Sequence, residues 1–272
     1  MIAATGNRMT YEIARQSQLA SALAQTQTSI STGKRIQMPS DDVAASTRVS
    51  RLTRDGSDST VWSRNLSLAQ SLASEADTAL QSMSDITIRA RETMVTASNG
   101  TLTPADRKTQ ALALRAMASD IRSLRATQSS LGQPLFAGRD AIAIPVAAGQ
   151  SIVPVATAAD SFGTLDARLD AAAAAVEAGN TTAMASALDD MSNAVDEASV
   201  TVADHGIRAA NIDKAIDRLD SHTTDIKVEK SSLADTDIVS ATAQLNSQTI
   251  TLEAAQAAFA RINRRTLFDI LG

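Results

Sequence analysis

The residues equipped for chemistry are few and poorly placed for it. His205 and His222 are the only histidines and there is no cysteine, which excludes thiolate nucleophiles, disulfide frameworks and Cys-ligated zinc or iron–sulfur sites. No second histidine stands three or four residues from His205, so the pair a helical metal site needs is missing. Its place in an apolar series favours a packing role. The adjacent carboxylates Asp41 and Asp42 are the pattern that holds Mg²⁺ or shares a proton. Behind Pro39 and Ser40, however, they read as the start of a helix, with Ser40 or Asp41 as N-cap and a carboxylate near the positive helix end. Thr32-Gly33-Lys34-Arg35 lacks the upstream glycine of a phosphate loop, and Arg follows the lysine where Ser or Thr is required. There is no Gly-x-Ser-x-Gly elbow. The expectation is a protein that is not an enzyme, with no catalytic residue, cofactor or metal site.

The elements that carry these residues are helices. The chain has 272 residues and only six aromatics, while alanine supplies 52 positions. Such a composition fills thin seams between helices rather than a thick core. A net charge of −5 without aromatic platforms argues against nucleic acid. No apolar run approaches the roughly 18 residues of a membrane span, and the start lacks the apolar stretch of a cleavable signal. Neither membrane insertion nor the general secretory route is expected.

A largely apolar 3-4 spacing runs from Leu188 through Met191, Val195, Ala198, Val202, His205, Ala209, Ile212, Ile216, Leu219, Thr223, Ile226 and Lys230 to Leu233, which predicts one helix about 70 Å long. A second series, Trp62, Leu66, Ala69, Ala73, Ala76, Leu80, Met83, Thr87, Ala90, Met94 and Ala97, alternates large residues with alanine, so that backbones approach closely. Gly100 suits a left-handed position after it. Thr103, Pro104 and Asp106 then form an N-cap, a first helical proline and a first-turn acid. The helix they open carries Leu114, Met117, Ile121, Leu124, Gln128 and Leu131, antiparallel to its predecessor. Between Gly132 and Gly163 short apolar runs interrupted by prolines predict a small β insertion on a sheet edge.

The two ends mirror each other. Met9, Ile13, Gln16, Ala20, Leu23, Gln27 and Ile30 keep heptad spacing until Gly33 breaks the helix. Ile238, Ala241, Leu245, Gln248, Leu252, Ala255, Phe259 and Ile262 do the same behind Asp235 or Asp237 as cap. Seams this thin in apolar surface are marginal alone, because nucleation and chain entropy oppose them until a partner covers them. Met9, Ile13, Ala20, Leu23, Ile30, Ile238, Leu245, Leu252, Phe259 and Ile262 are therefore the candidate assembly residues.

Ser31-Thr32-Gly33-Lys34-Arg35-Ile36 followed by Pro39-Ser40-Asp41-Asp42-Val43-Ala44-Ala45-Ser46 resembles the N-terminal signature of the flagellin superfamily. The likeness continues at Ala97-Ser98-Asn99-Gly100-Thr101-Leu102, at Leu135-Phe136-Ala137-Gly138, at Thr251-Leu252-Glu253-Ala254-Ala255-Gln256-Ala257-Ala258-Phe259-Ala260-Arg261 and at Leu267-Phe268-Asp269-Ile270-Leu271. It covers the chain in order except for the β insertion, which is shorter than many relatives carry. Gly33, Pro39, Ser40, Asp41 and Asp42 are its structural motif. Pro39 and the Leu267-Phe268-Asp269 ending resemble the members that join the flagellar hook to its filament. Filament subunits usually lack that proline and close in Leu-Leu.

The resemblance implies an all-α, elongated antiparallel bundle or coiled-coil rod with paired terminal helices and a small β-rich insertion. Its expected parts are residues 1–38 and 236–272 as the inner assembly domain, 39–138 and 165–235 as the helical rod, and 139–164 as a reduced outer domain. It further implies terminal helices that fold on assembly and export, without a cleaved signal, through the flagellar type III apparatus with a cytosolic chaperone. The implied place is extracellular, between a hook-associated protein on the hook side and flagellin on the filament side, with copies of the chain itself as further partners. A filament flagellin is the first alternative. A cytoplasmic coiled-coil scaffold is the second.

Overall fold

The structure, a computed structural model, describes residues 2–271, with side chains described from residue 9 to residue 261. It is 78% helical, which makes the fold all-α with one small sheet. In chain order the elements are α1 (Ile2–Thr32), α2 (Val43–Ala97), α3 (Pro104–Arg125), β1 (Ile144–Ala147), β2 (Gln150–Ile152), α4 (Ala158–Phe162), α5 (Leu165–Ala178), α6 (Thr181–Ala234) and α7 (Ile238–Leu271). They form two compact units. One comprises residues 57–223, the other residues 1–56 together with 224–272.

In the unit of residues 57–223 the core gathers Leu66, Leu80, Met83 and Met94 of α2, Leu114 and Ile121 of α3, Leu169 of α5, and Met191 and Ile212 of α6. Between them Ala69, Ala76, Ala90, Ala111, Ala118, Ala172 and Ala173 are fully buried. Alanine there lets helix backbones close on one another, and the large neighbours fill the space left at the flanks. Every member of the expected α2 series from Leu66 to Ala97 is buried. Its polar member Thr87 satisfies its hydroxyl by donating to the Met83 carbonyl at 2.7 Å. His205 is also buried, its Nε2 lying 2.8 Å from the Ala73 carbonyl. A carbonyl can only accept, so that nitrogen carries the proton and the ring ties α6 to α2.

The start of α3 is built as its sequence requires. The Thr103 hydroxyl accepts from the Asp106 N–H, and the Asp106 carboxylate accepts in return from the Thr103 N–H, a complete capping box behind Pro104. The Thr103 hydroxyl and N–H hold the Asp106 carboxyl below the usual aspartate range. Thr103→Ala is expected to lower the stability of this unit by about 1 kcal/mol, read as a fall in the urea midpoint at unchanged slope.

Two sequence expectations fail nearby. Gly100 does not take a positive φ; α2 ends with the Asn99 N–H turning back to the Thr96 carbonyl instead. The apolar series of α3 ends at Arg125 and does not continue to Leu131, because the chain reverses through a bridge between Gln128 and Pro134 with Gly132 at φ +72°. Leu131 is exposed there.

The β segment is an antiparallel hairpin turning at Gly149 (φ +70°), with an irregularity between Pro145 and Ala147. Pro145 is tolerated because a two-stranded sheet is all edge. Its inward neighbours Ile144 and Val146 are buried, and its carbonyl accepts from the Asn65 amide of α2 at 2.7 Å. The same stretch holds the one-turn helix α4. The ring of its Phe162 meets Phe136 edge-to-face, with centroids 4.8 Å apart.

Candidate assembly surface

In the unit of residues 1–56 and 224–272, the motif around Gly33 ties the two ends of the chain together. α1 stops at Thr32 because Gly33 takes the left-handed conformation (φ +68°). The Gly33 carbonyl then accepts from the Thr236 N–H at 2.9 Å, and the Arg35 N–H donates to the Ala234 carbonyl at 2.8 Å. This two-bond bridge pairs Lys34 with Asp235, whose side chains also meet at 2.6 Å. The Arg35 guanidinium reaches the Leu233 carbonyl at 2.6 Å and the Asp42 carboxylate at 3.3 Å. One turn along α6, Glu229 receives both arms of the Arg48 guanidinium, at 2.6 and 2.9 Å.

The two acids of the motif divide the work differently from the sequence expectation. Asp42, not Ser40 or Asp41, caps α2, accepting from the Ala45 N–H at 2.9 Å. Asp41 faces backward, and one carboxylate oxygen accepts from the N–H groups of Gln37 and Met38 at 2.9 and 2.8 Å. Pro39 starts the turn between them and donates nothing itself. At the far end Asp237 caps α7, accepting from the Val239 N–H at 3.0 Å. Lys34, which failed as a phosphate-loop lysine, is an ion-pair partner here.

This clasp is acid-sensitive by construction. The Ala45 N–H and Arg35 hold the Asp42 carboxyl below the ordinary aspartate range. Lys34, then Ser231, do the same for Asp235, and Arg48 does it for Glu229. A carboxyl lowered in the folded state contributes stability that is fully present above its unfolded pKa and lost as pH falls through the folded value. Amide-exchange protection at Thr236 and Arg35 is therefore expected to be level from neutrality down to about pH 5 and to fall below about pH 4. Added salt should weaken the same groups, which are solvent-exposed. Protection unchanged at about pH 3 would contradict this.

Beyond the clasp, α1 and α7 pack against each other. Their contact is thin. The buried residues of this unit are Thr26, Ala45, Leu52, Ile226, Ala234 and Ala241, among the described residues. On the pair itself Leu19, Leu23, Ile30, Leu245, Leu252 and Phe259 are half-buried. The Gln16 amide reaches the Ala255 carbonyl at 3.4 Å, and the Gln248 Oε1 is shielded from solvent with no donor. Of the candidate residues, the structure thus brings Leu23, Ile30, Leu245, Leu252 and Phe259 to partial cover. It leaves Met9, Ile13, Ala20 and Ile238 exposed. The side chain of Ile262 lies outside the described residues.

A further apolar set was not singled out from the sequence. Tyr11 is 78% exposed, Val239 82% and Ile250 66%. Val239, Ala243, Ile250, Ala254 and Ala257 share a second face of α7, turned by more than 100° from Leu245 and Leu252 at 100° per residue. Alanines hide such a stripe in a sequence, because they fit either face. Arg48 and Glu229 were also missed. Nothing local in the sequence relates two residues 181 positions apart.

Among the described residues no group of three or more His, Cys, Asp or Glu is arranged to hold a metal, and no helix is long and apolar enough to cross a membrane. The fold and the clasp together define a helical protein in which the two ends of the chain form one unit, with apolar stripes facing outward. Residues 7–141 match the family described as the bacterial flagellin N-terminal helical region, and residues 185–271 match the bacterial flagellin C-terminal helical region. The chain belongs to the bacterial flagellin family.

Among its relatives, a flagellin of Listeria monocytogenes is 37% identical over 86 residues, covering 32% of this chain and 30% of that protein. Flagellar hook-associated protein 3 of Escherichia coli is 31% identical over 116 residues, covering 40% of this chain and 34% of that protein. The matched stretches thus span about a third of these relatives. The solved structure of a putative flagellar hook-associated protein from Vibrio parahaemolyticus shares the fold. Its TM-score is 0.62 at 22% identity, over 72% of this chain and all of that one.

Proposed function

We propose that this chain is a structural subunit of the bacterial flagellum, without enzymatic activity, that joins the hook to the flagellin filament. The observation that carries the reading is the α1–α7 pair, which buries little of its own apolar surface and presents Tyr11, Ile13, Val239 and Ile250 to solvent. Large exposed aliphatic and aromatic side chains on one unit mark a surface made to be covered. Copies of the same chain, a hook-associated protein on one side and flagellin on the other are the covering partners. Export through the type III apparatus with a chaperone, and residence outside the cell, belong to the same proposal. The likeness to hook-associated protein 3, Pro39 and the Leu267-Phe268-Asp269 ending favour the junction.

The Listeria match favours the second reading, a filament flagellin. A strain lacking the protein separates the two: hooks without filaments, with flagellin shed into the medium, are expected for the junction. Purified protein that polymerises alone into long filaments would overturn it. Phe259 tests the covering itself. It is half-buried in the single chain, so Phe259→Ala is expected to weaken assembly by about 3 kcal/mol and to cost the isolated chain roughly half of that or less. Equal loss in both states would contradict assembly-coupled burial.

A further inference from the structure

We propose that Asn99 is a site of spontaneous deamidation and isoaspartate formation in the folded protein. Of the asparagines in the chain, Asn99 alone precedes a glycine. It sits just past the end of α2, in the turn that leads to the Thr103 cap of α3. The turn fixes three of the groups that matter. The Asn99 N–H is held by the Thr96 carbonyl at 3.2 Å, the Asn99 carbonyl accepts from the Leu102 N–H at 3.3 Å, and the side-chain Oδ1 accepts from the Thr101 hydroxyl at 3.2 Å. Among the described residues no acceptor holds the Gly100 N–H. A Cβ placed on Gly100 would meet nothing within 4 Å. The nucleophile is therefore unpaired, and the carbonyl it must attack is polarised by a hydroxyl donor.

The chemistry needs only water. The Gly100 nitrogen gives its proton to solvent base and bonds to Cγ of Asn99. The Cγ–Nδ2 bond then breaks, and ammonia leaves after taking a proton from solvent. The resulting succinimide adds one water at either carbonyl, giving aspartate or isoaspartate. The sum is asparagine plus water to aspartate or isoaspartate plus ammonia, with no change of oxidation state. The product carries a new negative charge four residues before the capping threonine, and the isoaspartate form adds a methylene to the main chain of the turn. The other asparagines with described side chains are held differently. Asn65 donates to Pro145, Asn180 caps α6 by accepting from the Ala183 N–H, and Asn193, Asn211 and Asn246 lie inside helices. There the following N–H is committed to the helical ladder.

The test is incubation of the full-length folded protein at mildly alkaline pH, followed by peptide mapping and isoaspartate labelling. Conversion is expected at Asn99 before any other asparagine, with isoaspartate among the products. Gly100→Ala fits the open turn without strain and is expected to slow conversion about tenfold through the raised barrier to ring closure. Thr101→Val should slow it by a smaller factor, and Asn99→Gln should leave no converted residue in that peptide. Circular dichroism of each variant would verify the fold. If Asn99 stays intact in the folded protein while the urea-unfolded chain converts, or if Gly100→Ala reacts at the native rate, the proposal is overturned.

Discussion

Removing residues 236–272 is expected to abolish attachment of filaments to hooks while leaving the unit of residues 57–223 with its own cooperative melting transition. The truncation takes away α7 and the Thr236 N–H that closes the clasp on Gly33. It exposes the half-buried face of α1, whose Leu19, Leu23 and Ile30 lose their cover. A lone helix with so little apolar surface falls below the threshold of nucleation and chain entropy, so α1 should lose its helicity with α7. The other unit keeps its core of Leu66, Met94, Leu114, Ile121, Leu169 and Met191, because none of these residues lies in the deleted segment. Circular dichroism of the truncated protein should show helix lost in proportion to α1 and α7, and a remaining transition. A truncated chain without a cooperative transition would mean that the core of residues 57–223 depends on the terminal helices for its own folding.

The helices were largely legible because their information is local. The α2 series places every seam residue from Leu66 to Ala97 inside, since a long helix with one buried face repeats faithfully. The Thr103 box and the Asp237 cap are likewise written in adjacent residues. Failures came where distant or geometric constraints decide. Asp41 and Asp42 are chemically alike, and only the position of the Gln37 and Met38 N–H groups determines which acid turns back and which caps α2. The α3 pattern runs on to Leu131 in sequence, yet the Gln128–Pro134 bridge reverses the chain first. On the terminal helices the difficulty is physical ambiguity. Alanine and threonine are admissible on either face, so spacing alone does not say whether Met9 and Ile13 or Leu19 and Thr26 turn toward α7. The structure places Thr26 inside and Met9 and Ile13 outside. That arrangement leaves α1 with exposed apolar side chains beyond those that α7 covers.

Leu114→Ala carries the largest single-residue effect expected on stability. Leu114 of α3 is fully excluded from solvent, between alanines Ala111 and Ala118 that are equally buried. These two alanines, on the same face of α3, are too small to fill the space a truncated leucine leaves. The cost is therefore expected at about 2–5 kcal/mol, transfer plus residual cavity. A unit of this size loses about 2–4 °C per kcal/mol, so its melting temperature should fall by about 4–20 °C. Leu114→Met keeps the volume and should cost less than about 1.5 kcal/mol. Neither substitution touches α1, α7 or the clasp, so amide protection at Thr236 should stay unchanged while the 57–223 transition moves. Loss of both together would show that the two units melt as one. A fall of less than about 1 kcal/mol for Leu114→Ala would show that the alanine-rich core collapses around a missing side chain instead of holding a close-packed arrangement.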